Sequence, residues 1–303
     1  MQFVYRYPDV QGVAGDMLDP GPIDEVAVAA ERAGFDAIAF TEHPAPGARW
    51  LGAGGHQTLD PFVALSFAAA ATERIQLLTY VCVLPYRNPM LVAKTAASID
   101  RLSGGRFILG VGTGYLKGEF SALGVAMEER NELFDEAVDV MRALWATDEL
   151  HYEGRHFTAR GVTLKPRPVQ QPHPPLWLGG NAHVVRERVA AWGDGWAPLL
   201  GGAELLQTTR TSAIPTDADL ARHIAEIKEA MAGHGRDPGV LDVASGSAQP
   251  LPRDASVQER LDVIGRLAEI GVTWTPAPFA HSSFSAALDS LRRFGEEVIT
   301  PAR

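Results

Sequence analysis

The stretch from Arg74 to Tyr115 restricts the fold of this chain more than any other. Ile75 to Val83 is an apolar, β-branched run that ends just before Pro85. Asn88-Pro89 then reads as a helix start. The asparagine offers a side-chain oxygen to the open N–H groups, and the missing proline donor costs nothing at the first helical position. Leu91, Val92, Thr95, Ala96, Ile99 and Leu102 recur at helical spacing and predict one apolar face. Gly104-Gly105 ends the helix, because glycine takes the left-handed conformation cheaply. Phe107 to Val111 is a second apolar run, and it leads into the glycine-rich segment Gly110–Gly114. Two continuous apolar strands joined by a helix define a parallel βαβ unit covered on both faces.

The same alternation extends in both directions. Upstream come a strand over Gln2–Tyr5, a helix over Pro20–Gly34 and a strand over Phe35–Thr41 that ends at Glu42-His43-Pro44. A Gly/Ala-rich loop, Ala45–Leu59, leads to Asp60-Pro61, which opens a helix to about Ala71. Downstream, Leu116–Met127 is a connector and Glu129–Ala146 a periodic helix. Leu150–Val169 alternates around a glycine turn and reads as a hairpin insertion. Three further units follow, with strands at Pro174–Leu178, Gly195–Pro198 and Val240–Ala244 and helices at Ala182–Ala191, Thr216–Gly233 and Val257–Ile270. A loop, Leu199–Pro215, follows the sixth strand. Val272–Pro276 and Phe284–Val298 supply the eighth strand and closing helix. Eight such units predict an α/β protein, a (β/α)8 TIM barrel spanning residues 1–303 as one domain, with its insertions at the hairpin and the two long loops.

Composition narrows the partners. A net charge of −10 argues against nucleic acid or an anionic membrane. No run of apolar residues is long enough for a membrane span, and no basic-then-apolar leader is read at the N-terminus. The single cysteine, Cys82, sits within an apolar strand, which excludes a disulfide framework and fits a cytoplasmic setting.

VLPYRNPMLVAKTAASIDRLSGGRFILGVGTGY resembles the third and fourth strands of the bacterial luciferase-like oxidoreductases, a family using FMN or the deazaflavin coenzyme F-420. AERAGFDAIAFTEHP and PLWLGGNA…AAWGDGWAPL match the same family in the same order. The resemblance implies a redox enzyme acting on a small organic substrate, and a homodimer. TEHP, LPYRNP and GVGTGYLKGEF are most similar to the F-420 branch.

In such a barrel, reactive groups gather at the C-terminal ends of the strands. His43 ends the second strand, and the resemblance implies that it sits beside the cofactor ring as the catalytic group, where an imidazole can donate or pass a proton. Glu42 should point the other way along the strand and serve structure. The resemblance places a cofactor-supporting bulge at Thr79-Tyr80-Val81, with a non-prolyl cis bond at Tyr80–Val81. Gly112 and Thr113 end the fourth strand, where backbone can approach a ribityl chain and a hydroxyl is on offer. They do not make a dinucleotide fingerprint, since the third glycine is replaced by Tyr115. Tyr115 also stands where a sugar-phosphate-oxidising member carries a catalytic carboxylate. Gly179-Gly180-Asn181 joins a strand to a helix, an arrangement that attracts phosphate. Trp50, His56 and Trp196 are aromatic candidates for the pocket wall. His151, Glu153 and His156 alternate across a hairpin and lack the helical spacing of a metal site, so no metal is expected.

Three functions follow. The favoured one is F-420-dependent hydride transfer, with His43 placing or sharing a proton. The second is an FMN-dependent monooxygenase that consumes oxygen. The third is a barrel that binds a phosphorylated ligand without catalysis.

Overall fold

The structure, a computed structural model, describes residues 1–7, 22–201, 209, 211–252, 254–277 and 284–303. Among these, the strands run β1 (Gln2–Tyr7), β2 (Ala37–Phe40), β3 (Gln76–Thr79), β4 (Cys82–Val83), β5 (Phe107–Gly112), β6 (Leu150–Glu153), β7 (Thr158–Val162), β8 (Leu176–Gly179), β9 (Gly195–Ala197), β10 (Asp242–Val243) and β11 (Trp274–Pro276). The helices are α1 (Ile23–Arg32), α2 (Ala48–Gly52), α3 (Pro61–Ala71), α4 (Pro89–Ser103), α5 (Lys117–Ala122), α6 (Arg130–Ala146), α7 (His183–Trp192), α8 (Asp217–Gly233), α9 (Val257–Glu269) and α10 (Phe284–Phe294).

Parallel strands pair in the order β10-β9-β8-β5-β3-β2-β1-β11. A bridge between Ala244 and Trp274 joins the ends and closes the barrel. Alternation along each strand divides the core. Val4, Ala37, Ala39, Leu78, Ile108, Trp177, Ala197, Ala244 and Trp274 fill the interior. Residues of the other parity, such as Tyr5, Ile38, Phe40, Leu77 and Leu176, meet the surrounding helices.

The start and stop signals act as their chemistry requires. Asp60 caps α3 by accepting from the Phe62 and Val63 N–H groups, and Asn88 caps α4 by accepting from Met90. Gly104 ends α4 in the left-handed region, at φ 72°.

Several elements differ from the sequence reading. The run Ile75–Val83 is two strands, β3 and β4, because the chain bulges at Tyr80-Val81 before pairing resumes on β5. The apolar face of α4 is also different. Val92, Ala93, Ala96, Ala97 and Ile99 are buried, whereas Leu91 and Leu102 are 68% and 85% exposed. The small side chains set the inward arc, and the two leucines lie on an outward one. Val240 belongs to a 3₁₀ turn, Pro238–Val240, capped by Asp237, so the seventh strand begins only at Asp242. The loop Ala45–Leu59 contains the short helix α2. Part of the Leu199–Pro215 loop and the start of the Pro20–Gly34 helix lie outside the described residues.

The predicted hairpin is present as β6–β7. It lies along the outside of α6, where Arg155 pairs with Glu129 and Glu132 and the His156 and Phe157 N–H groups donate to Glu136. The chain then returns past Asp100, a fully buried carboxylate at the end of α4 that accepts from Val169 and Gln170.

Candidate active site

The C-terminal ends of β2 and β3 build one wall of the barrel mouth. Beyond Phe40 the chain alternates once more. Glu42 turns away into the protein, where it is 4% exposed. Its carboxylate accepts from the Val83 N–H at 2.6 Å and pairs with Arg87, which also reaches Asp60 at 2.6 Å. Burial pushes the Glu42 carboxyl up, against the opposing pull of Arg87. This network ties the end of β2 to the segment after β4 and to the cap of α3.

His43 points into the mouth and is enclosed by rings. Trp50 lies at 4.5 Å between centroids, His56 at 4.9 Å and Tyr115 at 6.0 Å. Its backbone N–H donates to Thr58 Oγ1 at 3.0 Å. Its Nδ1 is buried without a hydrogen-bond partner and faces Glu119 Oε1 at 3.5 Å. His56 meets Thr41 Oγ1 at 3.3 Å. Burial first, then His43 and Arg6, lower His56 to about 4. Burial and the Glu119 charge push the Tyr115 phenol up to about 12.

The neighbouring β3 end carries the bulge. The Tyr80–Val81 bond is a non-prolyl cis peptide, at the position that the resemblance implies. Thr79 turns away from the mouth, and its hydroxyl donates to the Gly110 carbonyl at 2.8 Å. The Tyr80 hydroxyl donates to the Ala244 carbonyl at 3.3 Å, so its ring lies across the barrel, with the Arg6 guanidinium 5.7 Å from its centroid. The Val81 side chain sits against the ends of β5 and β8. A Cβ on Gly112 would stand 2.9 Å from one of its methyls, and a Cβ on Gly179 3.0 Å from the other. Thr113, beside Gly112, is half-buried.

At Gly179-Gly180-Asn181 the strand turns into α7. Gly180 has φ 122°, its N–H donates to Ala197, and its carbonyl accepts from Trp196 Nε1. Asn181 is fully buried, and its side chain is consumed within the protein. Nδ2 donates to the Leu199 and Ser212 carbonyls, and Oδ1 accepts from the Leu199 N–H. Ala182, which precedes α7, has no capping side chain, and among the described residues the His183 and Val184 N–H groups lie open beside the glycines.

His43, Tyr80, Val81, Gly112, Thr113, Gly179 and Gly180 therefore converge on one mouth. Thr79 and Asn181 support it from behind. Of the aromatic candidates, Trp50 and His56 enclose His43. Trp196 is fully buried among the outer core residues and faces away, because it has the parity of the helix-facing side chains. The hairpin packs on α6. His151 pairs with Glu149 at the surface, while His156 lies against α6. Cys82 is fully buried as a free thiol. Sequence reasoning missed Glu119 and Arg6. The available signal for Glu119 was an acid followed by phenylalanine just past a glycine-rich strand end.

The fold is a parallel (β/α)8 barrel with an imidazole, a backbone bulge and glycine strand ends around its C-terminal mouth, the face where such barrels carry their active sites. The family model described as luciferase-like monooxygenase matches residues 1–282. The chain belongs to this luciferase-like family of oxidoreductases. It is 33% identical over 227 residues to an F420-dependent glucose-6-phosphate dehydrogenase of Gordonia bronchialis, covering 72% of this chain and 64% of that one. It is also 33% identical over 206 residues to an FMNH2-dependent dimethylsulfone monooxygenase of Pseudomonas putida, covering 63% and 55%. The chain thus spans less than two thirds of either relative. Among solved structures, the monooxygenase RslO1 of Streptomyces bottropensis superposes over 100% of both chains, with a TM-score of 0.81 at 21% identity. No helix among the described residues is long and apolar enough to cross a membrane.

Proposed function

We propose that this protein transfers a hydride between coenzyme F-420 and a small organic substrate. The observation that carries the reading is the Val81 bulge, seated against Gly112 and Gly179 at the same mouth that His43 lines from the neighbouring strand. A flat ring fits against such a bulge, and the open first turn of α7 suits an anionic tail. When bound, the cofactor supplies the hydride chemistry. The chain's own part is to orient the ring on Val81, to shield it under Trp50, and to exchange a proton at His43. The motifs around His43 and Arg87 favour F-420. One relative uses F420 and another FMNH2, so the oxygen-consuming FMN reaction is the second reading.

A titration of the protein with F-420 and with FMN, paired with an oxygen electrode, separates the two. Tighter F-420 binding and turnover without oxygen uptake are expected. Tight FMN binding with oxygen consumption would replace the first reading by the second. Binding of either cofactor without any redox turnover would leave a ligand-binding barrel.

We also propose that two copies of the chain pair through α3 and α4. The sequence of α3, PFVALSFAAAA, is apolar almost all round, a pattern that belongs to a helix covered on both sides. Yet Val63 and Phe67 are 58% and 62% exposed, and Leu91 and Leu102 are exposed on the adjoining helix α4. Small residues, Ser66 and Ala70 on α3 and Ser98 on α4, alternate with these large ones. Such a surface can meet its own copy across a two-fold axis, knobs against gaps. A cytoplasmic location accompanies this reading, since the one thiol is buried and unpaired.

A further inference from the structure

We infer that Glu119 is the positioning residue for His43, holding a proton on Nδ1 and leaving Nε2 as the atom that exchanges protons in the mouth. The inference uses the redox reading only to say what the exchange is for.

Glu119 is 1% exposed and comes from α5. A buried carboxylate must be met by donors. Oε2 accepts from the Tyr86 hydroxyl at 3.1 Å, and Oε1 accepts from the Ala45 N–H at 3.4 Å. Both donors fix the carboxylate without neutralising it. The remaining direction of Oε1 faces His43 Nδ1 at 3.5 Å, and that nitrogen is sealed and otherwise without a partner. A closure of roughly half an ångström converts this approach into a hydrogen bond. Nε2, by contrast, is not sealed.

The groups around the ring agree. From the other packed elements His43 meets Trp50 of α2, His56 before α3 and Tyr115 after β5. Arg6 of β1 stands behind His56. None of these is an anion at neutral pH, since burial and Glu119 keep Tyr115 protonated. Glu42, the adjacent acid, is turned away and paired with Arg87. Glu119 is therefore the carboxylate that meets the ring among the described residues.

The proton balance is simple. When Nε2 accepts a proton from a substrate hydroxyl, the O–H bond breaks and an N–H bond forms, while Nδ1 keeps its own proton. The resulting positive ring is offset by the Glu119 charge. In the reverse direction Nε2 returns the proton.

The test is a pH titration of the cofactor-free protein labelled with 15N-histidine, read by NMR. The His43 signals are identified by their loss in His43→Gln. The expected neutral form carries its proton on Nδ1, and Glu119→Gln lowers the His43 midpoint by one unit or more. Tyr86→Phe serves as a control that keeps the tautomer. A wild-type ring protonated on Nε2, or a midpoint that Glu119→Gln leaves unmoved, overturns the inference. If Glu119→Gln does not fold, Glu119→Asp is read against the same two marks. No cofactor is present, so this titration and the cofactor comparison can fail independently.

Discussion

One methyl of Val81 lies 2.9 Å from where a Cβ would stand on Gly112, and the other lies 3.0 Å from where one would stand on Gly179. The bulge and the two glycines are thus one fitted unit. Gly112→Ala is expected to displace Val81 and cost about 1–3 kcal/mol, since a β-branched neighbour cannot rotate away freely. Cofactor affinity should fall at least tenfold, with partial recovery in the Gly112→Ala/Val81→Ala double variant. Urea unfolding and a binding titration measure both. An unchanged affinity in the single variant would detach the bulge from the binding role.

Arg87→Met should destabilise the fold by about 3–5 kcal/mol, because Glu42 is left charged, buried and unpaired. The unpaired carboxyl then titrates above its unfolded value. The unfolded chain is the more charged one, so the deficit grows as pH rises through the unfolded value and shrinks as pH falls. Adding Glu42→Gln to Arg87→Met should return part of the loss. Chemical denaturation at about pH 5 and about pH 8 reads the slope, and a pH-independent deficit would contradict the ion-pair account.

His56 gives the opposite dependence. Its folded value is about 4 against an ordinary 6.5. Between these limits the unfolded chain binds the proton and the folded chain does not, so stability falls as the pH is lowered through that window. The loss should be on the order of 2 kcal/mol near the lower limit. His56→Gln should flatten this part of the stability curve. A variant with the wild-type acid slope would mean that another group is responsible.

Phe67→Glu or Leu102→Glu, each at an exposed apolar position, should halve the mass seen by light scattering and leave the circular dichroism unchanged. A wild-type protein that is already monomeric at micromolar concentration would remove the paired arrangement.

How much the sequence disclosed depended on the range of the interaction. The barrel was readable because its signals are local: Asn88-Pro89 starts a helix, Gly104 ends one, and apolar runs mark strands. The mouth residues were readable by position at strand ends, and the cis bond through resemblance. Contacts between distant segments were not. Glu119 meets Ala45 across 74 positions of chain, and nothing in its neighbourhood announces that. Asn181 reads as a phosphate-loop residue until Leu199 and Ser212 are seen to take its amide. Periodicity failed on α4 because Leu91 and Leu102 occupy a second apolar arc, and spacing alone does not say which arc turns inward.

The barrel is sewn shut unevenly. β10 spans two residues, and a single bridge joins its end to the neighbouring β11, yet the Tyr80 hydroxyl reaches this seam from the far side of the mouth. The same ring floors the proposed slot. A ligand resting there presses, through one side chain, on the stitch that joins β10 to β11, so amide exchange along Asp242–Ala244 would slow on occupancy.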